Sequence, residues 1–351
     1  MELENLGYNK KIEKLKIENN LKDFEIGRII SEHRERYVVK TEKGEYDAEI
    51  TGNLRYTANS RMDFPAVGDW VALMVYDSYS SIIHKILPRY SMISRKAVGQ
   101  SGAIQIIATN IDYAFIVQAI DRDFNINRIE RYLAICNSSN IKPIIILNKI
   151  DLVDDSKLKS LITSIQNRIK RIPLVWLSNA SQKGFEKLEE YLCKGKTYCL
   201  LGSSGVGKSS LINNLAGKNI MLTGEISKSI TRGKHNTTHR ELIITEKGIL
   251  IDNPGMREVG ITNSSSGLKD TFSEIVALSE QCKFSDCKHI NEIGCEVLKA
   301  LDTNKINKAS YKNYIKMEKE KTHFELTVSE KRKKDKKFGK MIKNLKKQNK
   351  K

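Results

Sequence analysis

Residues 202–210 read GSSGVGKSS, and no other stretch constrains this chain as tightly. Gly202, Gly207, Lys208 and Ser209 satisfy G-x-x-x-x-G-K-[ST], with the apolar run TYCLL before them and the helix-forming run SLINNLAG after. A strand before and a helix after give the pattern its meaning. The glycines let backbone N–H groups curl around phosphate oxygens at a helix amino terminus. The cradle then comprises Gly202, Ser203, Ser204, Gly205, Val206, Gly207, Lys208, Ser209 and Ser210. Lys208 reaches the β- and γ-phosphates, a catalytic as well as a binding role, and Ser209 is a candidate ligand for Mg²⁺. Such a loop requires an α/β domain with a mainly parallel sheet.

The other half of the site comes too early. Residues 146–151, ILNKID, precede the phosphate loop and follow the buried-strand run IIIL, at the sheet edge where α/β proteins bind ligands. Asn148, Lys149, Ile150 and Asp151 have the makeup of a guanine reader. Asp151 accepts from the ring N–H and the exocyclic amine of guanine, a pair that adenine lacks. Lys149 lies across the purine face, and Asn148 ties this segment to the phosphate loop. Ser178, Asn179 and Ala180, after the strand PLVWL, offer a backbone N–H to the guanine carbonyl oxygen. In DNPG, Asp252 is placed to hold Mg²⁺ through water and Gly255 to contact the γ-phosphate. TRGKHNTTHREL, just upstream, reads as a switch in which Thr237 or Thr238 ligates Mg²⁺, the choice between them open. The order NKID, SNA, GSSGVGKS, NTT, DNPG is a circular permutation of one guanine-nucleotide domain. It is admissible because the ends of a compact domain lie close and can be rejoined without altering its core.

Different patterns flank this domain. After an extension over 1–23, five short β-branched or alternating runs (GRIIS, RYVVKT, EYDAEI, DWVALMVY and IIHKIL) suit an OB-like β-barrel over 24–95. Tyr37, Arg55, Tyr56, Arg61 and Trp70 offer a stacking and phosphate-contacting face for nucleic acid; in the alternative, Tyr37 and Trp70 fill the barrel. Strands then alternate with helices over 104–262, the GTPase domain. Downstream, Cys282-x4-Cys287-x-His289-x5-Cys295 gathers three thiolates and an imidazole within fourteen residues. That set suits a closed, tetrahedral, structural Zn²⁺ with no open position for catalysis. It would anchor a helical zinc-binding domain over 263–328, ahead of a basic tail over 329–351. Cys136, Cys193 and Cys199 are scattered and read as small buried residues.

The net charge of +18 is uneven: residues 305–351 hold eighteen Lys or Arg against five Asp or Glu. A concentrated positive end favours a polyanionic partner through counterion release, with a solvated tail as the alternative. No run approaches the eighteen apolar residues of a membrane span, and the amino terminus lacks the apolar core of a signal peptide. A cytoplasmic monomer without a membrane partner is expected.

The permuted order, between a barrel and a cysteine cluster, resembles the RsgA family of circularly permuted, ribosome-dependent GTPases. The likeness runs through GDWV, ILPR, DFN-x-x-RIERYL, NKID, GSSGVGKSS, RGKH, DNPG and CKFSDCKH, nearly the whole chain. It implies a multidomain fold: an N-terminal OB-like β-barrel, a central circularly permuted α/β P-loop GTPase domain and a C-terminal helical zinc-binding domain. It also implies Mg²⁺-dependent GTP hydrolysis coupled to late maturation of the small ribosomal subunit, with barrel and metal domain against ribosomal RNA. The rival readings are a GTP-controlled RNA-binding module and a translation-type GTPase with another partner. Asn236 follows His235 where the family usually places Thr, and Met256, not a water-orienting glutamine, follows DNPG. Hydrolysis is therefore expected to be slow alone and accelerated by the subunit, with His235 as the catalytic candidate. Because DNPG feeds into the C-terminal domain through 256–275, nucleotide state is expected to set the pose of that domain.

Overall fold

The computed structural model describes residues 2–33, 36–96, 104–121, 123–217, 241–252 and 265–325. They belong to two compact units, Met1–Gly260 and Ile261–Lys351.

Strands β1 (Glu25–His33), β2 (Arg36–Lys40), β3 (Glu45–Ile50), β4 (Trp70–Val75) and β5 (Ser80–Ile86) pair in the order β1-β2-β3-β5-β4. β4 returns to β1 and closes the barrel; β3 and β5 run parallel and the other pairs antiparallel. In β3, EYDAEI alternates between solvent and interior, so Tyr46, Ala48 and Ile50 join Ile29, Tyr37, Val39, Val71, Leu73 and Ile83 inside. The same period puts Trp70, the neighbour of Val71, on the barrel's outer face. There the first residues cover it: α1 (Lys10–Glu18), capped by the Asn9 side chain, brings Ile12 beside Leu6, Leu21, Leu87 and Trp70. The Tyr8 ring meets Trp70 edge-on at 5.4 Å. Tyr37 and Trp70, 2% and 1% exposed, are thus core residues and do not form a nucleic-acid face; Arg55 and Tyr56 on α2 (Gly52–Thr57), and Arg61, are exposed. Burying an aromatic ring of this size contributes about 4–6 kcal/mol, more than a surface stacking role offers an empty protein.

Two arginines explain why GDWV and ILPR occur together. Arg89 grips the Asp69 carboxylate with two nitrogens, at 2.7 and 2.8 Å, and donates to the carbonyls of Met62 and Phe64. Asp69 also accepts from the Ala66 N–H, so one pair fixes the whole link before β4. Arg28, fully buried, donates to the carbonyls of Leu6, Gly68 and Asn110, joining the N-terminal cover, the barrel and the start of the next layer. Burial lowers its pKa.

An antiparallel pair that the sequence pattern did not suggest, β6 (Met92–Lys96) with β7 (Ile104–Thr109), leads into the α/β layer. There β8 (Tyr113–Ala119), α3 (Ile126–Ser138), β9 (Lys142–Asn148), α4 (Asp155–Gln166), β10 (Leu174–Trp176), α5 (Phe185–Glu189), β11 (Thr197–Leu201) and α6 (Lys208–Ala216) alternate. β12 (Glu241–Ile244) and β13 (Ile249–Asp252) complete the order β10-β9-β8-β11-β13-β12, parallel except for β12. Ile116, Ile145 and Leu147 face α3 and α4 through Ile129, Leu133 and Ile165; Phe115, Val117, Ile144 and Ile146 face α5 and α6 through Leu188, Leu211 and Ile212. Burial on both faces is why these strands read as continuous apolar runs. β12 pairs with β1 at Ser31 and Glu241, so barrel and layer share one eleven-stranded sheet.

In the second unit, α7 (Ser265–Thr271), α8 (Ser273–Ser279), α9 (Glu296–Asp302) and α10 (Lys308–Glu325) bury Leu268, Phe272, Ile275, Val297, Ala300 and Met317. The rings of Phe272 and Tyr314 lie 5.4 Å apart.

Replacing Arg89 by Met strands a carboxylate that has no solvent exposure. The expected loss is about 3–5 kcal/mol in chemical denaturation, and Asp69→Ala in the same chain should recover part of it.

Candidate nucleotide site and metal centre

Parallel strands end on one edge, and here that edge collects the pieces that are scattered in sequence. Asn148, the last residue of β9, donates through Nδ2 to the Val206 carbonyl of the phosphate loop at 2.7 Å and accepts at Oδ1 from the Asn179 N–H at 3.2 Å. The Asn179 amide donates to the Gly207 carbonyl at 2.8 Å, and Asn214 of α6 donates to the Asn179 carbonyl at 3.0 Å. The Ser178 hydroxyl donates to Asp151 Oδ1 at 2.5 Å and accepts from the Ser181 N–H. Asp151 and Ala180 are exposed, Ile150 is buried beneath them, and the Asp151 carboxylate is steered by Ser178. A buried side chain under an aimed carboxylate is a rigid edge for base recognition.

Close approach explains the glycines. A Cβ on Gly207, whose φ is +96°, would sit 2.3 Å from Asn148 Nδ2 and 2.7 Å from Asn179 Nδ2; one on Gly202 would sit 2.4 Å from the Val117 carbonyl oxygen. Val206 is buried, Ser203 half-buried, and Ser204 and Gly205 form the exposed crest. Lys208 opens α6, and its ammonium donates to the carbonyls of Gly202 and Ser203, both at 2.9 Å, spanning the loop it closes. Ser209 and Ser210 follow in the first turn of α6. Asp252 ends β13, beside β11, and is 2% exposed. A hydroxyl and a buried carboxylate on neighbouring elements are hard oxygen donors of the kind Mg²⁺ takes.

Asp121 escaped the sequence reading. It follows β8, and its carboxylate lies 3.2 Å from the Lys149 ammonium. Lys149 itself has a left-handed backbone, φ +65°. His235, Thr237, Thr238, Gly255 and Met256 lie outside the described residues, as do the basic tail and residues 256–264 of the 256–275 connection.

The second constellation is metallic in character. Cys282, Cys287, His289 and Cys295 place four ligand atoms within 4.8 Å of one another. Cys282 Sγ is 3.8 Å from Cys295 Sγ, and His289 Nδ1 is 3.6 and 3.4 Å from those two sulfurs. A tetrahedral zinc site has ligand separations of about 3.8 Å between sulfurs and about 3.6 Å between sulfur and nitrogen, so the set is compatible with zinc. Burial, with Cys287 and Cys282 alongside, pushes the Cys295 thiol up to about 11, while burial lowers the His289 pKa. Thiols held this close give up their protons readily only with a cation among them. The knuckle is braced independently: Glu292 accepts from the N–H groups of Lys288, Ile290 and Asn291, which brings its carboxyl down to about 2, and Tyr311 donates to the His289 carbonyl. Cys136 and Cys199 are buried as expected. Cys193 is exposed, contrary to expectation, because it lies in the surface turn between α5 and β11, where its N–H donates to the Tyr198 hydroxyl.

A phosphate loop, the NKID segment upstream of it and the hydrogen bonds that join them define the class: a circularly permuted P-loop GTPase. Residues 86–262 match the family model described as RsgA GTPase. The chain is 40% identical over 327 residues to the small ribosomal subunit biogenesis GTPase RsgA 1 of Bacteroides thetaiotaomicron, covering 93% of this chain and 91% of that one. It is 43% identical to the protein of the same name from Listeria innocua, over 84% of this chain and 83% of that one. Its fold is similar to the crystal structure of YjeQ from Thermotoga maritima, with a TM-score of 0.62 and 25% identity over 84% of this chain and 96% of that one. The fold of YloQ, a circularly permuted GTPase, is equally close at 0.62, with 23% identity over 87% and 97% of the two chains. The chain belongs to the RsgA GTPase family.

Two outcomes follow from this geometry. Asp151→Asn should weaken GTP binding by about 100-fold, since one of two hydrogen bonds to a charged acceptor becomes a meeting of two donors and the other loses its charge. Xanthosine triphosphate, whose ring carbonyl accepts from the new amide, should bind that variant better than GTP does; competition titration measures both. Purified protein should carry one zinc per chain by elemental analysis, and Cys295→Ser should lower that content and loosen α9, seen as faster amide exchange over 296–302.

Proposed function

We propose that this GTPase is a Mg²⁺-dependent, nucleotide-controlled factor in late maturation of the small ribosomal subunit. Its relatives carry that role in their names, and one observation here carries the nucleotide half of the reading: Asn148 bonds the base-reading segment directly to the phosphate loop. In this account Asp151 reads the guanine edge, Lys149 covers the purine face and the 178–180 turn meets the base carbonyl. Residues 202–210 wrap the phosphates, and Lys208 exchanges the carbonyls of Gly202 and Ser203 for phosphate oxygens. Ser209 and Asp252, the latter through water, would hold Mg²⁺, which when bound offsets charge on the β- and γ-phosphates. Gly255 and one of Thr237 or Thr238 would complete the γ-phosphate side.

Ribosomal RNA is the polyanion that the excess positive charge suits. Exposed Arg55, Tyr56 and Arg61 on the barrel, together with the basic tail, are assigned to it. Cys282, Cys287, His289 and Cys295 would hold one zinc that closes the knuckle of the second unit, and four protein ligands would leave no position for chemistry there. A monomer acting in the cytoplasm fits this role, and among the described residues no helix is long and apolar enough to cross a membrane.

Phosphate release from GTP, with and without purified small subunits, tests the proposal. Turnover should rise at least about tenfold with subunits, and Lys208→Ala should abolish both rates. Binding without stimulation would favour the RNA-binding module over the assembly enzyme. His235→Ala should remove the stimulation while leaving GTP affinity intact; unchanged stimulated turnover would reject His235.

A further inference from the structure

We infer that Asp121 is a positioning residue for nucleotide binding, acting through Lys149; the inference rests on the nucleotide reading above. The two residues are 28 positions apart, yet the sheet locks them side by side. Ala119 pairs with Asn148 at the ends of β8 and β9, and the Ile120 N–H donates to the Asn148 carbonyl at 2.9 Å. Just beyond these ends, Asp121 after β8 and Lys149 after β9 form the two halves of an ion pair. Asp121 Oδ2 faces the Lys149 ammonium at 3.2 Å, with both side chains about three-quarters buried.

The carboxylate cannot swing freely. Its Oδ1 accepts the Asp123 N–H at 2.9 Å, and its own carbonyl accepts the Phe124 N–H at 3.0 Å. Asp121 is therefore a fixed post, and Lys149 is the movable partner. A lysine stem has four rotatable bonds and loses much rotamer freedom on ordering. Pairing at its tip, together with its left-handed backbone, restrains that stem before any nucleotide arrives. The ordering cost then falls on folding and not on binding, which is how a preorganised contact gains affinity. The effect lies at the base end of the site and not at the phosphates, so GTP and GDP should feel it equally.

Asp121→Asn isolates the pairing, because the amide oxygen can still accept the Asp123 N–H while the charge is gone. Dissociation constants for GDP and for a non-hydrolysable GTP analogue, measured in a cycle with Lys149→Ala, read the coupling directly. Asp121→Asn should weaken both nucleotides by about fivefold and by the same factor, and by less than about 1.5-fold once Lys149 is Ala. An equal loss in both backgrounds would show that Asp121 acts elsewhere and overturn the inference. So would an unchanged affinity in Asp121→Asn when Lys149→Ala binds weakly. Undiminished binding by Lys149→Ala alone would instead remove the role given to that lysine, and the inference with it.

Discussion

Two side-chain amides hold the nucleotide site together. Asn148 reaches from the end of β9 to the Val206 carbonyl, and Asn179 reaches from the end of β10 to the Gly207 carbonyl. Backbone carbonyls inside a tight glycine loop have few partners, and buried polar groups left unmade are costly. These bonds couple the shape of the loop to the segments around Asn148 and Asn179, while Lys208 ties the loop to itself at Gly202 and Ser203. That coupling makes the order of the pieces along the chain immaterial. Strand register and hydrogen bonds assemble them whichever comes first.

Permutation matters instead for what the chain ends can reach. The phosphate-loop strand, β11, lies in the interior of the sheet, between β8 and β13. β12 lies on the far side of β13 and bonds to β1 of the barrel. The barrel is thereby fastened to β12, the strand that precedes Asp252 of β13 in sequence. Arg28 makes a second tie, across Leu6, Gly68 and Asn110.

Periodicity exposed the architecture because its causes are local. A strand buried on both faces must be apolar throughout, as IIIL is, and a barrel strand must alternate, as EYDAEI does. The phosphate loop was legible because glycine is required wherever backbone comes this close to side chains, as Gly207 does to Asn148. What stayed hidden depends on pairing across distance. Asp121 has no spacing signature, since its meaning comes from Lys149 on the neighbouring strand. Asp69 and Arg89 sit in recognisable motifs, but their ion pair could be seen only once the link over 61–66 was folded between them. Trp70 showed its size and not its side of the barrel, because the cover over it begins with residues whose helix is short and polar on most positions.

The central claim is that one purine nucleotide spans segments brought together from separate parts of the chain. Electron density for the protein crystallised with GDP and Mg²⁺ tests it most directly. The account predicts the diphosphate inside the 202–210 loop and the Asp151 carboxylate against the amine-bearing edge of the guanine ring. A diphosphate in that loop with its base turned away from Asp151, or bound at another edge of the sheet, would contradict it.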